Sequence, residues 1–342
     1  MGKLKLGIVN SAPLQVSYGG VAPFIKNLDP FLKQEYDVYY FVLPLILTRI
    51  RIIPQRLIYL VYLLGKKKQL NRCDVILSHV PEGSYVVSFG RVPFIHIFHG
   101  NYNPMTVSRY WFGKYFKWVF DRMEKRIRRK ASRMYTVGTE MQGIPKIYNP
   151  VFHSVKITDP SSRSGFIFSG RLEKVKNVER SIRIYSKLPE DIQNENPFYI
   201  AGKGTLEGDL RKQAVALGLE KKVVFLGELN NDQMVETNST KKMMIMTSLQ
   251  EGMPMAIAEA LSVGIPVIST DVGDIARIIQ SGVNGFLLAL SFEDEEYIRC
   301  IQTVLGEYKH FCENALASAE IFRSETVSAA LIQEINSIKQ LK

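Results

Sequence analysis

Residues 247–271 read Thr-Ser-Leu-Gln-Glu-Gly-Met-Pro-Met-Ala-Ile-Ala-Glu-Ala-Leu-Ser-Val-Gly-Ile-Pro-Val-Ile-Ser-Thr-Asp, and no other stretch narrows the possible folds as far. The mostly apolar residues 242–246 predict a strand. Gly252 permits a tight turn, and Pro254 suits the first turn of a helix because its missing N–H would be unpaired there in any case. A helix from about residue 255 to residue 263 follows, and Gly264 ends it. Residues 265–269 then form a short β-branched run, the composition of a parallel strand buried on both faces. The stretch therefore predicts about one βαβ unit and a parallel α/β sheet.

This layout places Glu251 in a loop and Glu259 in the helix. Glu251 sits at the carboxyl end of a strand, where open α/β sheets bind ligands, beside a helix N-terminus whose free N–H groups and dipole favour a phosphate. A phosphate on the N–H groups near Met255 and Ala256 would put Glu251 beside the group it carries and Glu259 one turn deeper. Two Glu residues eight apart would by themselves fit a solvated helix face. The flanking Gly-Met-Pro and Gly-Ile-Pro-Val turn the reading toward a site.

The stretch resembles the nucleotide-sugar motif of the retaining glycosyltransferases of family 4, and the likeness covers most of the second half of the chain and parts of the first. It implies the GT-B fold, two doubly wound Rossmann-like domains facing across a cleft. It also implies that Glu251 holds donor-sugar hydroxyls, that backbone at Gly252, Met253, Met255 and Ala256 meets the diphosphate, and that Glu259 holds the ribose hydroxyls. A cation pair fits the same scheme. Residues 166–169 predict a strand, and Gly170-Arg171-Leu172-Glu173-Lys174-Val175-Lys176-Asn177 opens a helix, so that Arg171 and Lys176 can reach one diphosphate; Lys174 reads as a rim charge. Gly202-Lys203-Gly204 after a strand at 198–201, and Gly227 after a strand at 223–226, add further strand ends. Gly19 and Gly20, before a helix at 21–33, would face the donor in such a family. His99 ends the strand at 93–98, where the family has a cleft histidine, whereas His96 inside that strand reads as a satisfied core residue.

Length suits two domains of roughly 150 residues. The Asn149-Pro150 step marks their junction, giving an acceptor-binding, membrane-facing domain at 1–150 and a nucleotide-sugar domain at 151–320. A helix at 321–342 crosses back to the first domain if the resemblance holds. Residues 271–274 read as the cap of another helix. Three cysteines without close pairing or metal-ligand spacing indicate a reducing compartment. No secretory signal and no run near the roughly 20 apolar residues of a spanning helix is visible, so a cytoplasmic protein is expected.

Charge is uneven. Residues 1–150 carry 23 Lys and Arg against 8 Asp and Glu, net +15, and the remainder is net −4. One half is thus set to meet an anionic surface. Two segments interleave bases with apolar or aromatic residues. Residues 45–69 read as a basic amphipathic helix, either core-facing or lying in a membrane interface. Residues 109–133 hold both tryptophans and five bases within 125–130, a surface-lying helix for anionic lipid. Nucleic acid would also use aromatics with bases, but the segment merges into an apolar strand at 134–138, which speaks against a nucleic-acid arm.

The expected activity is retaining transfer from a nucleotide diphosphate sugar, a UDP-hexose or UDP-N-acetylhexosamine, to a lipid-linked saccharide in bacterial surface polysaccharide assembly at the inner face of the cell membrane. No cofactor is expected, and no metal, since no Asp-x-Asp occurs. A non-hydrolysing sugar-nucleotide epimerase, a pyridoxal-phosphate phosphorylase and a non-enzymatic basic module binding membrane or nucleic acid are the competitors; none accounts as well for the pairing of Glu251 with Glu259.

Overall fold

A computed structural model describes residues 2–14, 21–49, 53–99, 117–137, 141–151, 157–252 and 254–340. They fall into two units, Met1–Pro150 with Ser324–Lys342, and Val151–Arg323.

The first unit is built on a parallel sheet of β1 (Leu4–Asn10), β2 (Tyr36–Val42), β3 (Val75–Ser78), β4 (Phe94–Phe98) and β5 (Arg133–Thr136), in the order β2-β1-β3-β4-β5. Period-two alternation sorts the side chains between two layers. Leu6 and Ile8 join Phe24, Ile25, Leu28 and Leu32 of α1 (Val21–Glu35) on one face. Val9, Phe41 and Ile76 face the other, where α2 (Leu45–Thr48), α3 (Gln55–Gly65), α4 (Lys67–Leu70), α5 (Pro81–Val87) and α6 (Lys117–Lys130) lie.

The expected amphipathic stretch 45–69 is therefore three short helices. Pro54 keeps the residue before it out of the helical region and serves as the N-cap of α3. α3 buries Tyr59 and Leu63, and the Tyr59 hydroxyl donates to the Phe41 carbonyl at 2.7 Å. In segment 109–133, residues 109–116 lie outside the described residues; α6 buries Met123 and Ile127, so it is a packed helix with one wet face. Its Arg126 donates to Ser88 Oγ at 2.7 Å and stacks on Phe89, leaving Lys125, Arg129 and Lys130 exposed.

The second unit carries β6 (Phe166–Ser169), α7 (Val178–Ser186), α8 (Glu190–Glu195), β7 (Phe198–Ala201), α9 (Glu207–Ala216), β8 (Val223–Gly227), α10 (Asn231–Ser239), β9 (Met243–Ile245), α11 (Met255–Ser262), β10 (Val267–Thr270), β11 (Gly285–Leu288), α12 (Asp294–Gly306) and α13 (Tyr308–Ser318). Its six parallel strands run β11-β10-β9-β6-β7-β8. Tyr297 of α12 is fully buried, and its hydroxyl accepts from the Met246 N–H at 3.0 Å and donates to the Ile268 carbonyl at 2.6 Å, tying α12 to the ends of β9 and β10. Arg163 is also buried and donates to three carbonyls: Thr158 at 2.9 Å, Gly264 at 2.7 Å and Val263 at 2.8 Å. It thereby caps the C-terminus of α11 with a cation, as the helix dipole favours.

Residues 271–274 do not cap an α-helix. Asp274 precedes only the 3-10 turn Ile275–Arg277 and makes no side-chain cap bond. The second unit ends at Arg323, past the 3-10 turn Ala319–Phe322. α14 (Ser324–Gln340) belongs to the first unit and packs Leu331 and Ile335 into the core beside α1.

Candidate functional site

Three neighbouring strands of the second unit end in glycine turns. The Gly170 N–H donates to the Ala201 carbonyl at 3.0 Å, the Gly202 N–H to the Gly227 carbonyl at 2.7 Å, and the Leu172 N–H to the Lys203 carbonyl at 3.0 Å. The turns are stacked backbone on backbone. A Cβ on Gly202 would strike the Gly170 carbonyl, and one on Gly204 would strike Leu172, so side chains are excluded there. They open a cavity of about 280 Å³ whose wall includes Arg171, Lys203, Glu228, Asn231, Met234 and Glu259. Burial raises the Glu259 carboxyl to about 7, because removing water from around it disfavours the charged form.

Beside this cavity two loops are bound together. The turn Lys174–Lys176 leads into Asn177, which is left-handed (φ 49°, ψ 41°) and alone in this among the described non-glycine residues. The Leu249 N–H donates to the Val175 carbonyl at 2.8 Å, and Thr247 Oγ1 donates to the Asn177 carbonyl at 2.7 Å. On the far side, Asp274 N–H donates to the Gly252 carbonyl at 3.2 Å, and Gly273 (φ 64°) leaves no room for a Cβ against the Glu251 backbone. The result is an ion pair across 75 residues of sequence: Lys176 Nζ lies 2.6 Å from each Glu251 carboxylate oxygen, with both side chains mostly buried (15% and 6% exposed). Ser248 Oγ donates to the same carboxylate at 2.7 Å. Met255 and Ala256 open α11, whose N-cap Pro254 offers no side-chain bond, an arrangement that suits an anion at the helix N-terminus.

Arg171 and Lys176, expected to reach one diphosphate, have different surroundings. Arg171 is exposed on the cavity wall, whereas Lys176 is engaged by Glu251. Gly252 is exposed at the turn. Gly19, Gly20 and Met253 lie outside the described residues.

In the first unit, His99 and the unforeseen His79 follow adjacent strands, β4 and β3. His79 Nδ1 is 2.9 Å from His99 Nε2. Burial lowers His99 to about 3 and His79 well below the usual range, so both are neutral at pH 7. His96 is fully buried with Nδ1 2.7 Å from Ser84 Oγ. The sequence signal for His79 was present: like His99, it directly follows a short apolar strand. Glu228, Asn231 and Ser248 were also missed, since nothing local separates them from other loop polar residues.

The family described as glycosyl transferases group 1 matches residues 153–315. The lipopolysaccharide 1,6-galactosyltransferase of Salmonella typhimurium is 30% identical over 179 residues, 51% of this chain and 49% of that protein. Matches of this kind span 30%, 49% and 42% of the length of three curated relatives. Among solved structures, the lipopolysaccharide outer core galactosyltransferase WaaB in its apo form is similar at a TM-score of 0.68 and 17% identity, covering 98% of this chain and 99% of that one. Anabaena HepE in complex with UDP and glucose gives 0.66 and 18%, over 98% and 100%. These likenesses establish the fold, which is GT-B.

Proposed function

This chain belongs to the group 1 glycosyltransferases through its second unit, and on that footing we propose that it transfers a sugar, with retention at the anomeric carbon, from a UDP-hexose or UDP-N-acetylhexosamine to a lipid-linked saccharide of a bacterial surface polysaccharide. The observation that carries this reading is the Lys176–Glu251 pair in the same unit as the open N-terminus of α11 and the glycine-turn cavity. Lys176, Arg171 and the N–H groups of Met255 and Ala256 stabilise the charge developing on the leaving diphosphate, a contribution of several kcal/mol where water is excluded. Glu251 orients the sugar hydroxyls and Glu259 the ribose; His99, Gly19 and Gly20 are further residues of the proposed donor scheme. The sequence has no Asp-x-Asp, and no metal enters the scheme. The test is incubation with radiolabelled nucleotide sugars with and without a polyprenyl-diphosphate saccharide: acceptor-dependent release of nucleoside diphosphate, insensitive to EDTA, is expected. Acceptor-independent interconversion of the sugar nucleotide would point to an epimerase instead.

Glu259 makes nucleotide binding pH-dependent. Ribose hydroxyls donate to the ionised carboxylate, so binding expels the proton held up to about pH 7. UDP affinity is expected to rise with pH until about 7, by at most about tenfold per unit, and then level. Calorimetric titration between pH 5.5 and 8.5 checks this, and Glu259→Gln should flatten the profile. Folding shows the opposite trend: the unfolded chain ionises near 4.5 and the folded chain near 7, so this group costs stability increasingly across that window.

An anionic membrane face suits the acceptor. Ile46, Leu57, Val61 and Leu64 are 73%, 55%, 65% and 52% exposed. Three of them, Leu57, Val61 and Leu64, form one stripe of α3, and no acidic residue occurs between Asp37 and Asp74. No helix among the described residues is long and apolar enough to cross a membrane; the attachment we propose is peripheral, at the cytoplasmic face. Each base near such a surface adds about 1 kcal/mol. The protein is expected to float with anionic vesicles at low salt and detach at high salt. Changing Leu57, Val61 and Leu64 to Gln, or Lys125, Arg129 and Lys130 to Gln, should weaken flotation without altering UDP binding. Indifference to anionic vesicles would favour a soluble acceptor.

A further inference from the structure

We propose that His79 is a positioning residue for His99: by donating from Nδ1 to His99 Nε2 it keeps the His99 proton on Nδ1 and makes that ring a fixed hydrogen-bond donor to an oxygen of the bound sugar. This rests on the transferase reading for the identity of the oxygen, but not for the proton arrangement.

The placement follows from the sheet. β3 and β4 are parallel neighbours with Ser78 opposite His96, so the residues that follow them emerge at the same carboxyl end, where such sheets bind ligands. Phe24 of α1 meets the His79 and His99 rings edge-on, at centroid distances of 5.4 Å and 5.1 Å, and fixes their planes. His79 is 3% exposed, whereas His99 is only partly covered. The inner ring is thus the support and the outer one the working group.

Proton placement follows from what surrounds the inner ring. Neither histidine has a carboxylate among the groups that set its titration, so both rings are neutral and share one proton across the 2.9 Å contact. Among the described residues His79 Nε2 is buried without a partner. If His79 accepted at Nδ1, its own proton would sit on Nε2 as a buried, unpaired N–H. If it donates at Nδ1, Nε2 carries only a lone pair. An imidazole lone pair left without a donor is the milder of the two orphans, since a buried N–H without an acceptor is the rarer defect in folded proteins. His99 then accepts at Nε2 and bears its proton on Nδ1. The Nδ1 edge of His99 is then a donor and not a base, which suits a sugar hydroxyl or phosphate oxygen and excludes proton abstraction at that edge.

The test combines spectroscopy with kinetics on the full chain. In long-range ¹H–¹⁵N spectra of histidine-labelled protein, His99 is expected to be protonated on Nδ1. His79→Phe keeps the ring packing and removes the donor: the Nδ1 signature should be lost, and kcat should fall about 10- to 100-fold, the loss typical of removing the group that orients a functional imidazole, with UDP affinity unchanged. His79→Asn returns an N–H near the Nδ1 position and should recover most of the rate and the tautomer. An Nε2-protonated His99 in the wild type overturns the proposal, as does wild-type kcat in a folded His79→Phe protein. If His79→Phe fails to fold, the wild-type spectrum and the Asn variant decide. If the wild type turns over no nucleotide sugar, the transferase reading fails, and an Nδ1-protonated His99 would still uphold the proton arrangement.

Discussion

Lys176→Met is expected to lower kcat/KM for sugar transfer by about 10²- to 10³-fold, the cost of removing one preorganised group that meets charge developing in a transition state. The side chain is preorganised from two directions, since the left-handed Asn177 and the Leu249–Val175 backbone bond fix its loop and Glu251 fixes its ammonium. The substitution also leaves Glu251, 6% exposed, with Ser248 as its remaining side-chain partner. An unpaired charge at such depth costs about 3–5 kcal/mol, so stability should drop as well. Lys176→Met/Glu251→Gln separates the two effects, because it removes both charges. The double variant should recover most of the lost melting temperature and none of the lost rate. Initial rates under saturating acceptor, read beside thermal melts, make the comparison. Activity of Lys176→Met within threefold of wild type would remove Lys176 from the chemistry.

The largest stability effect is expected at Arg163. Arg163→Leu abandons carbonyls of Thr158, Val263 and Gly264 in a buried setting, and hydrogen bonds to charged groups are each worth about 1.5–3 kcal/mol. A total loss of about 4.5 kcal/mol or more is expected. For a unit of this size that lowers the melting temperature by about 9 °C or more, measurable by calorimetry. Arg163→Lys should recover only part, because an ammonium cannot reproduce the planar fork that reaches three carbonyls. The effect would be felt at the site too, since α11 carries Met255, Ala256 and Glu259. A melting temperature unchanged by Arg163→Leu would mean that water replaces the guanidinium there.

The strands Phe166–Ser169 and Phe198–Ala201 were legible residue for residue, because each is an apolar run stopped by a glycine. The helix after Pro254 was legible for the same local reasons. What local pattern did not carry was partnership. Glu251 and Lys176 could be named, but their contact depends on a bond between Leu249 and Val175 that no spacing encodes. The continuous look of 45–69 misled because hydrophobic periodicity survives the interruption at Pro54, which splits the helices without breaking the pattern. Residues 271–274 misled in the opposite way: Asp and Gly there fit a cap, but the second Asp leads only into a single 3-10 turn. His79 carried the same local signal as His99, the end of a short apolar strand, but its pairing with His99 appears only when the two strands lie side by side.

The return of α14 to the first unit sets an order of events during synthesis. A ribosome releases all five strands of the first sheet before the second unit exists, but Val327, Leu331, Ile335 and Ile338, which complete its core, emerge only after Arg323. Through the translation of the whole second unit the earlier sheet waits with one apolar flank open, a state that invites association with other chains. The second unit is one contiguous stretch, Val151–Arg323, and can close first. The half of the protein that is made first is thus finished last, and a stop codon just after Arg323 would damage the end of the gene product that was already made.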